Sequence, residues 1–274
     1  MKLVADSGST KTAWRLIHTD GRIEQAASIG LNPFHLADEM ITATLESIFP
    51  AWHEHISELF FYGAGVGSTI QHDRLERLLA SSFPNASVEV NHDLLGAARA
   101  ACGREAGFAV ILGTGTNSCF FDGQTITEHI PSVGYILGDY GSGADLGKRW
   151  AEACLTHAAE PDLIKLFYEQ YNLNADRLLD QVYTGTRVQT FLASFAPFLA
   201  EQKSHPFIAA LISSAFDDFF TRTLKRYSSK GTVHVCGSIG EIFRPFLENV
   251  AANHGFTLGR TVPHPIAALT LYHT

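Results

Sequence analysis

Runs of apolar positions broken by small turn residues mark the strands, and a three-to-four spacing of apolar positions marks the helices. Leu3-Val4-Ala5 ends on Asp6 and a small-residue turn, Ser7 to Thr10, before an apolar return over Ala13 to His18. Such a run predicts a buried strand, a tight turn and a returning strand. Asp20-Gly21 predicts the next hairpin turn and Arg22 to Ser28 a third strand. Helical spacing is expected over Asp38 to Phe49, Arg74 to Ser82 and the alanine-rich Leu94 to Cys102, with short strands at Leu59 to Tyr62 and Val88 to Val90. Val110-Ile111-Leu112 opens a second strand–turn–strand over Gly113 to Phe121. Further on, helices are predicted at Ala144 to Thr156, Pro161 to Tyr171, Ala175 to Tyr183, Arg187 to Gln202 and Pro206 to Tyr227. The strand Thr232 to Cys236 leads through Gly237-Ser238-Ile239-Gly240 into a helix over Phe243 to His254. A last apolar helix, Pro265 to Tyr272, is expected to return to the first half of the chain.

The two hairpins resemble each other. With Gly8 set on Gly115, apolar residues, a Ser/Thr, a Gly and a second Ser/Thr fall in register. A small turn rich in hydroxyls and exposed backbone N–H groups makes a cradle for phosphate oxygens, and a device repeated in each half predicts a duplicated fold that grips a polyphosphate from both sides. Asp6 beside such a turn would repel phosphate unless a cation stood between. It is therefore either a turn residue capping its own backbone or the holder of a water-bridged Mg²⁺. Lys11 either adds positive charge there or is simply solvated.

Three other positions carry two readings each. Asn32, before Pro33, is a turn former or a ligand contact. Asp93, where a strand meets a helix, is an N-cap or a general base. Asp139, in a loop with Gly134, Gly138, Gly141 and Gly143, caps the following helix or accepts hydrogen bonds from sugar hydroxyls; four glycines in ten residues exceed what a cap requires. Gly63 to Gly67 contains a G-x-G but lacks the rest of the dinucleotide fingerprint, which excludes that reading.

The 274 residues suffice for two lobes with separate cores, and 46% hydrophobic with 18% charged residues is an ordinary globular composition. A formal net charge of −8 without a basic run argues against nucleic acid or anionic membrane as partner. The start lacks a signal-peptide core, no stretch approaches a membrane span, and four scattered cysteines read as reduced thiols, so a cytoplasmic protein is expected.

Phosphate hairpin, Asp-bearing junction, phosphate hairpin, Gly-Asp loop and small-residue turn, in that order, resemble the actin, hexokinase and heat-shock-protein ATPase superfamily. More closely, the chain is similar to the N-acetylglucosamine kinase family, grouped with the activating ATPases of benzoyl-CoA reductase. The resemblance implies an α/β protein of two duplicated ribonuclease H-like lobes with a nucleotide cleft between them. The lobes would be residues 1–107 with 263–274, and residues 108–262 with a helical insert at about 144–230. It implies ATP with Mg²⁺ as cofactors and phosphorylation of the 6-hydroxyl of N-acetylglucosamine, with glucosamine, N-acetylmuramic acid or glucose as alternative acceptors, or a non-kinase ATPase activator of the same fold. Carried over by position, Ser7, Gly8, Ser9, Thr10, Lys11, Thr114, Gly115, Gly237, Ser238 and Gly240 would bind ATP and Asp6 the metal. Asp93 would be the catalytic base, and Asn32, Thr116, Asn117, Gly134, Gly138 and Asp139 would hold the sugar. A small-molecule sugar is the expected partner and a homodimer the expected assembly. Val133 stands where relatives often carry tryptophan, and the cysteine spacing does not match the cluster of the activating ATPases. A muramic lactyl carboxylate would want a cation, for which Arg149 and Lys148 are the candidates.

Overall fold

A computed structural model describes residues 1–8 and 11–274. They divide into two compact units, Met1–Glu105 with Gly123–Thr125 and His264–Thr274, and Ala106–Asp122 with Ile126–Pro263.

In the first unit β1 (Lys2–Ser7), β2 (Lys11–Ile17) and β3 (Ile23–Ile29) are followed by α1 (Asp38–Ser47), β4 (Glu58–Gly63), α2 (Thr69–Ser82), β5 (Ser87–His92) and α3 (Asp93–Cys102). The sheet order is β3-β2-β1-β4-β5, with β1 antiparallel to β2 and parallel to β4. A central strand is covered on both faces, which is why Leu3, Val4 and Ala5 form an unbroken apolar run with no exposed surface. Trp14, Phe61, Leu75 and Phe83 fill the core beneath them.

The second unit begins with β6 (Gly107–Leu112), β7 (Thr116–Phe121) and β8 (Ile126–Ile130), then α4 (Gly134–Leu137), α5 (Gly143–Leu155), α6 (Pro161–Tyr171), α7 (Ala175–Thr184), α8 (Val188–Ala193), α9 (Ala196–Glu201) and α10 (Pro206–Arg222). It closes with β9 (Thr232–Cys236), α11 (Ser238–Ile242), α12 (Arg244–Asn253) and β10 (Thr257–Val262). Its sheet order, β10-β9-β6-β7-β8, repeats the first strand for strand, with β6 antiparallel to β7 and parallel to β9. An aromatic core of Trp150, Phe167, Phe195 and Phe198 packs under the helices. The final helix, α13 (Pro265–His273), belongs to the first unit, where Lys2 Nζ donates to the His273 carbonyl at 2.7 Å and Tyr62 Oη lies 2.8 Å from His273 Nε2.

Several local expectations need correction. Helix α2 starts at Thr69 rather than Arg74, because Ser68 caps it through the Gln71 N–H. The single helix expected over 187–202 is two, since Pro197 in the first turn of α9 has no N–H to continue α8. The helix expected at 243–254 is present as α12, and the small-residue turn before it is itself a short helix, α11. Strands β8 and β10 were not foreseen. The two hairpins are also unequal: Ser7 pairs with Thr12 and Leu112 with Thr116, leaving four positions beyond the last rung in one and three in the other. Counted from those rungs, Gly8 corresponds to Gly113 and not to Gly115.

Candidate active site

In the first unit Asp6 is the next-to-last residue of β1 before the hairpin turn, and Asp93 is the first residue of α3. The capping job that Asp93 was a candidate for belongs to His92, whose Nδ1 accepts from the Leu94 N–H at 3.3 Å. The Asp93 carboxylate is thereby released. Its Oδ1 is buried without a hydrogen-bond partner, although His92 Nδ1 lies only 2.6 Å away as an ion pair. Nδ1 accepts from Leu94 only while unprotonated; once protonated it donates to Asp93 instead, so the His92 ring is the partner of that oxygen whenever it carries charge. This contact with Asp93 raises the His92 imidazole above its ordinary range despite partial burial.

Asp6 makes no ion pair among the described residues. Burial, then the negative charge of Asp93, pushes its carboxyl up to about 6. A buried carboxylate without an ion pair, raised further by a second carboxylate, calls for a positive charge, and hard oxygen donors of this kind suit Mg²⁺. The residues present therefore fit the metal that the resemblance implies.

The hairpin itself is anchored from below. The Ser7 hydroxyl is buried, lies 2.8 Å from Thr12 Oγ1 and accepts from the Leu31 N–H at 2.9 Å. That hydroxyl holds the base of the turn rather than facing out of it. Gly8 and Lys11 are exposed, with the Gly8 N–H donating to the Lys11 carbonyl at 3.0 Å; Ser9 and Thr10 lie outside the described residues. Asn32 performs the turn role, its Oδ1 accepting from the Phe34 N–H at 2.9 Å. Its amide also packs on Gly65, where φ is +85° and a Cβ would overlap Asn32 Oδ1. Gly67 abuts the His92 ring, so the glycine loop after β4 gathers Asn32 and His92 around one backbone segment.

In the second unit Thr114 is exposed at the hairpin turn, with Gly115 beside it. A Cβ on Gly115 would stand 2.8 Å from Asp139 Oδ2, so this glycine is what lets Asp139 approach the turn. Asp139 is buried at a left-handed φ of +55°, a conformation that carboxylate side chains tolerate better than most. Burial raises its carboxyl, opposed by the hydroxyl of Ser132, which donates to Oδ1 at 2.9 Å. Gln189 Nε2 donates to Oδ2 at 3.1 Å. Asp139 does not cap α5; Ser142 does, accepting from the Asp145 N–H at 3.1 Å.

Thr116, Asn117, Gly138 and Asp139 line one cavity of about 200 Å³, with Val133 and Leu137 as apolar wall. Gly134 starts the short helix α4 at the same loop, at φ +76°. The Thr116 hydroxyl donates to the Tyr140 carbonyl, and Asn117 Oδ1 accepts from the Ser118 N–H. Arg149, a candidate cation, is held by Asp145 and Asp218 instead, and Lys148 donates to the Tyr135 carbonyl. Gly237 lies at φ +114° where a Cβ would overlap the Leu112 carbonyl, and Gly240 is pressed on Val235; Ser238 is exposed at the start of α11. A larger cavity of about 520 Å³, at Ile164, Tyr168 and Leu173, contains none of the predicted residues.

No family model matches the chain, and no curated protein does. Among solved structures, a candidate N-acetylglucosamine kinase from Porphyromonas gingivalis is 37% identical, over 100% of this chain and 98% of that one, with a TM-score of 0.92. The chain belongs to the N-acetylglucosamine kinase family. A second candidate N-acetylglucosamine kinase, from Chromobacterium violaceum, is 20% identical with a TM-score of 0.75, and a ROK hexokinase from Thermus thermophilus is 13% identical at 0.55. These two cover 98% or more of this chain and support the duplicated actin-like ATPase fold alone.

For this member of the N-acetylglucosamine kinase family, the residues that sequence reasoning overlooked are the partners of the predicted ones. His92 could have been found from its position beside Asp93. Ser132 and Gln189 reach Asp139 from 7 and 50 residues away, and nothing local marks them.

Proposed function

We propose that the protein is an ATP-dependent sugar kinase that phosphorylates the 6-hydroxyl of an N-acetylated hexosamine, with N-acetylglucosamine as the reference acceptor. The observation that carries the reading is the placement of Asp93: it stands at a strand–helix junction, is relieved of capping by His92, and has a buried oxygen that meets the titratable His92 ring, 2.6 Å away. A buried carboxylate oxygen left facing a neutral imidazole is costly to keep and suits a site that a substrate hydroxyl completes.

In the proposed reaction Asp93 accepts the hydroxyl proton as the sugar oxygen bonds to the γ-phosphorus, and the bond from that phosphorus to the β–γ bridging oxygen breaks to release ADP. Thr114, Gly8 and Lys11 would orient phosphate oxygens, and Gly237 with Ser238 would leave room for the nucleoside. Mg²⁺, held by Asp6 through water, would supply charge neutralisation for the transferring group. Asp139, fixed by Ser132 and Gln189, would accept from sugar hydroxyls, while the polar edges of Thr116 and Asn117 complete the cavity.

An ADP-release assay across a panel of sugars tests this. Stimulation by hexosamines supports it, whereas ATP turnover indifferent to every sugar would point to a non-kinase ATPase. Asp93→Asn keeps the shape and removes the base, and should lower turnover by roughly 10²–10⁴-fold while sugar binding persists.

A further inference from the structure

Helix α2 of the first unit carries a group of side chains that the proposed reaction does not use. His72 and Glu76 stand one turn apart on it with Asp73 between them, and one donor atom from each lies within 4.8 Å of the others. Residues three and four apart on a helix are surface neighbours, so the two carboxylates, at i and i+3, repel each other beside the imidazole. Nearby arginines do not relieve them. Arg74 is spent elsewhere, donating to Asp38 and to the carbonyls of Pro33 and Leu36. Arg77 is exposed and pairs with neither carboxylate; among the described residues the ion pair of Asp73 is with His72, and Glu76 has none.

The His72 ring is oriented from outside this group. Its Nε2 lies 3.2 Å from the Val90 carbonyl on β5, and a carbonyl can only accept, so Nε2 carries the ring proton. Nδ1 is left facing Asp73 Oδ1 at 3.1 Å. In the neutral ring that is a lone pair set against a carboxylate, and a cation must stand between them: a second ring proton or a metal ion. A histidine with one nitrogen fixed on a backbone carbonyl and the other turned to carboxylates has the usual orientation of a metal ligand. One imidazole with two carboxylates suits a borderline divalent ion such as Zn²⁺, whereas Mg²⁺ prefers oxygen alone and keeps its water.

We propose that His72, Asp73 and Glu76 form a surface site for a divalent ion of the zinc type, separate from the Mg²⁺ at Asp6, with water completing the coordination. Bonds of about 2.0–2.2 Å to one centre draw the donors closer than 4.8 Å, which rotamer changes in exposed Asp73 and half-buried Glu76 allow. The ion would fix His72 between α2 and β5, bracing the strand that ends at His92 against the helix that follows the glycine loop. The inference stands independently of the sugar-kinase reading.

The test measures Zn²⁺ binding by calorimetry on the intact chain, free of any affinity tag, with millimolar Mg²⁺ present throughout. His72→Gln, which keeps a donor for the Val90 carbonyl, should weaken binding by about tenfold or more. Asp73→Asn and Glu76→Gln leave the Val90 contact in place and should each weaken it too; they carry the test if His72→Gln fails to fold. Zn²⁺ should also raise the thermal midpoint of the wild type, and raise it much less in the variants, since an ion that binds only the native state stabilises it. The chain has 13 histidines, so the variants decide the location. Zn²⁺ bound at unchanged affinity by all three variants would place the ion elsewhere and overturn the inference. Wild-type binding no tighter than millimolar would overturn it as well, leaving a second ring proton as the cation between His72 and Asp73.

Discussion

Replacing Asp6 with Asn should stabilise the metal-free protein near pH 8 and give no such gain near pH 4. Burial first, and then the Asp93 charge, move the Asp6 carboxyl from 3.8 to about 6. The native state therefore holds this proton to higher pH than the unfolded chain does. Stability from this group is greatest below 3.8, falls as pH rises towards 6, and stays reduced above it. A difference of about 2 units corresponds to about 3 kcal/mol, reduced somewhat because Asp6 keeps part of its surface in solvent. Asn has the same outline and no charge, so it escapes that penalty. The assay is urea denaturation with a chelator at both pH values, followed through tryptophan fluorescence, to which buried Trp14 of the same unit contributes. Millimolar Mg²⁺ should stabilise the wild type at the higher pH and act much less on Asp6→Asn, since a ligand that binds only the native state adds its binding free energy. A variant no more stable than the wild type near pH 8 without metal would show that Asp6 is not a charge held against its environment.

Gly65→Ala should destabilise the first unit by roughly 1–3 kcal/mol, because it strains a φ of +85° and drives a methyl group into Asn32 Oδ1; an unchanged denaturation midpoint would refute that packing. Asp93→Asn should lower the titration midpoint of the His92 ring seen by NMR, since the Asp93 contact holds that imidazole above its usual range. The stabilisation from that contact is complete below the ordinary imidazole range and is lost as pH rises through the raised value. All four cysteines are buried, and burial pushes the Cys154 thiol up to about 12, so a thiol reagent near pH 8 should react rapidly only after denaturation.

How much of this was legible depended on how local each signal was. Val110-Ile111-Leu112 and Leu3-Val4-Ala5 announced central strands because burial on both faces demands continuous apolar runs. Strand β10 escaped because it is an edge: Leu258 is its one buried residue, and Gly259 and Arg260 interrupt the pattern. Strand β8, another edge, is half exposed along its length. Asp93 was legible as a junction residue, but its release from capping was not, since histidine is an uncommon N-cap and the usual preference favours Asp. The Asp139 loop stood out by its glycines, while its partner Gln189 comes from a helix with no distinguishing composition. Arg149 and Lys148 lay closer in sequence to the loop, yet Asp145 and Asp218 claim Arg149, and the cavity is faced by Arg222 and Arg226 instead.

Duplication of the fold has not produced duplicate chemistry. Both units place a hairpin on the central strand of the same five-strand arrangement, yet the first carries Asp6 beside Asp93 with a shortage of positive charge. The second carries glycines and hydroxyls, and its one buried cavity carboxylate, Asp139, already has two hydrogen-bond donors. A buried carboxylate without an ion pair, beside a second one, suits metal binding and proton acceptance. A carboxylate fixed by donors in a small cavity suits the recognition of hydroxyl groups. An ATPase that merely changed shape would have use for the first arrangement but none for the second. In the proposed function the cavity at Asp139, more than either hairpin, would separate a sugar kinase from other machines built on this fold.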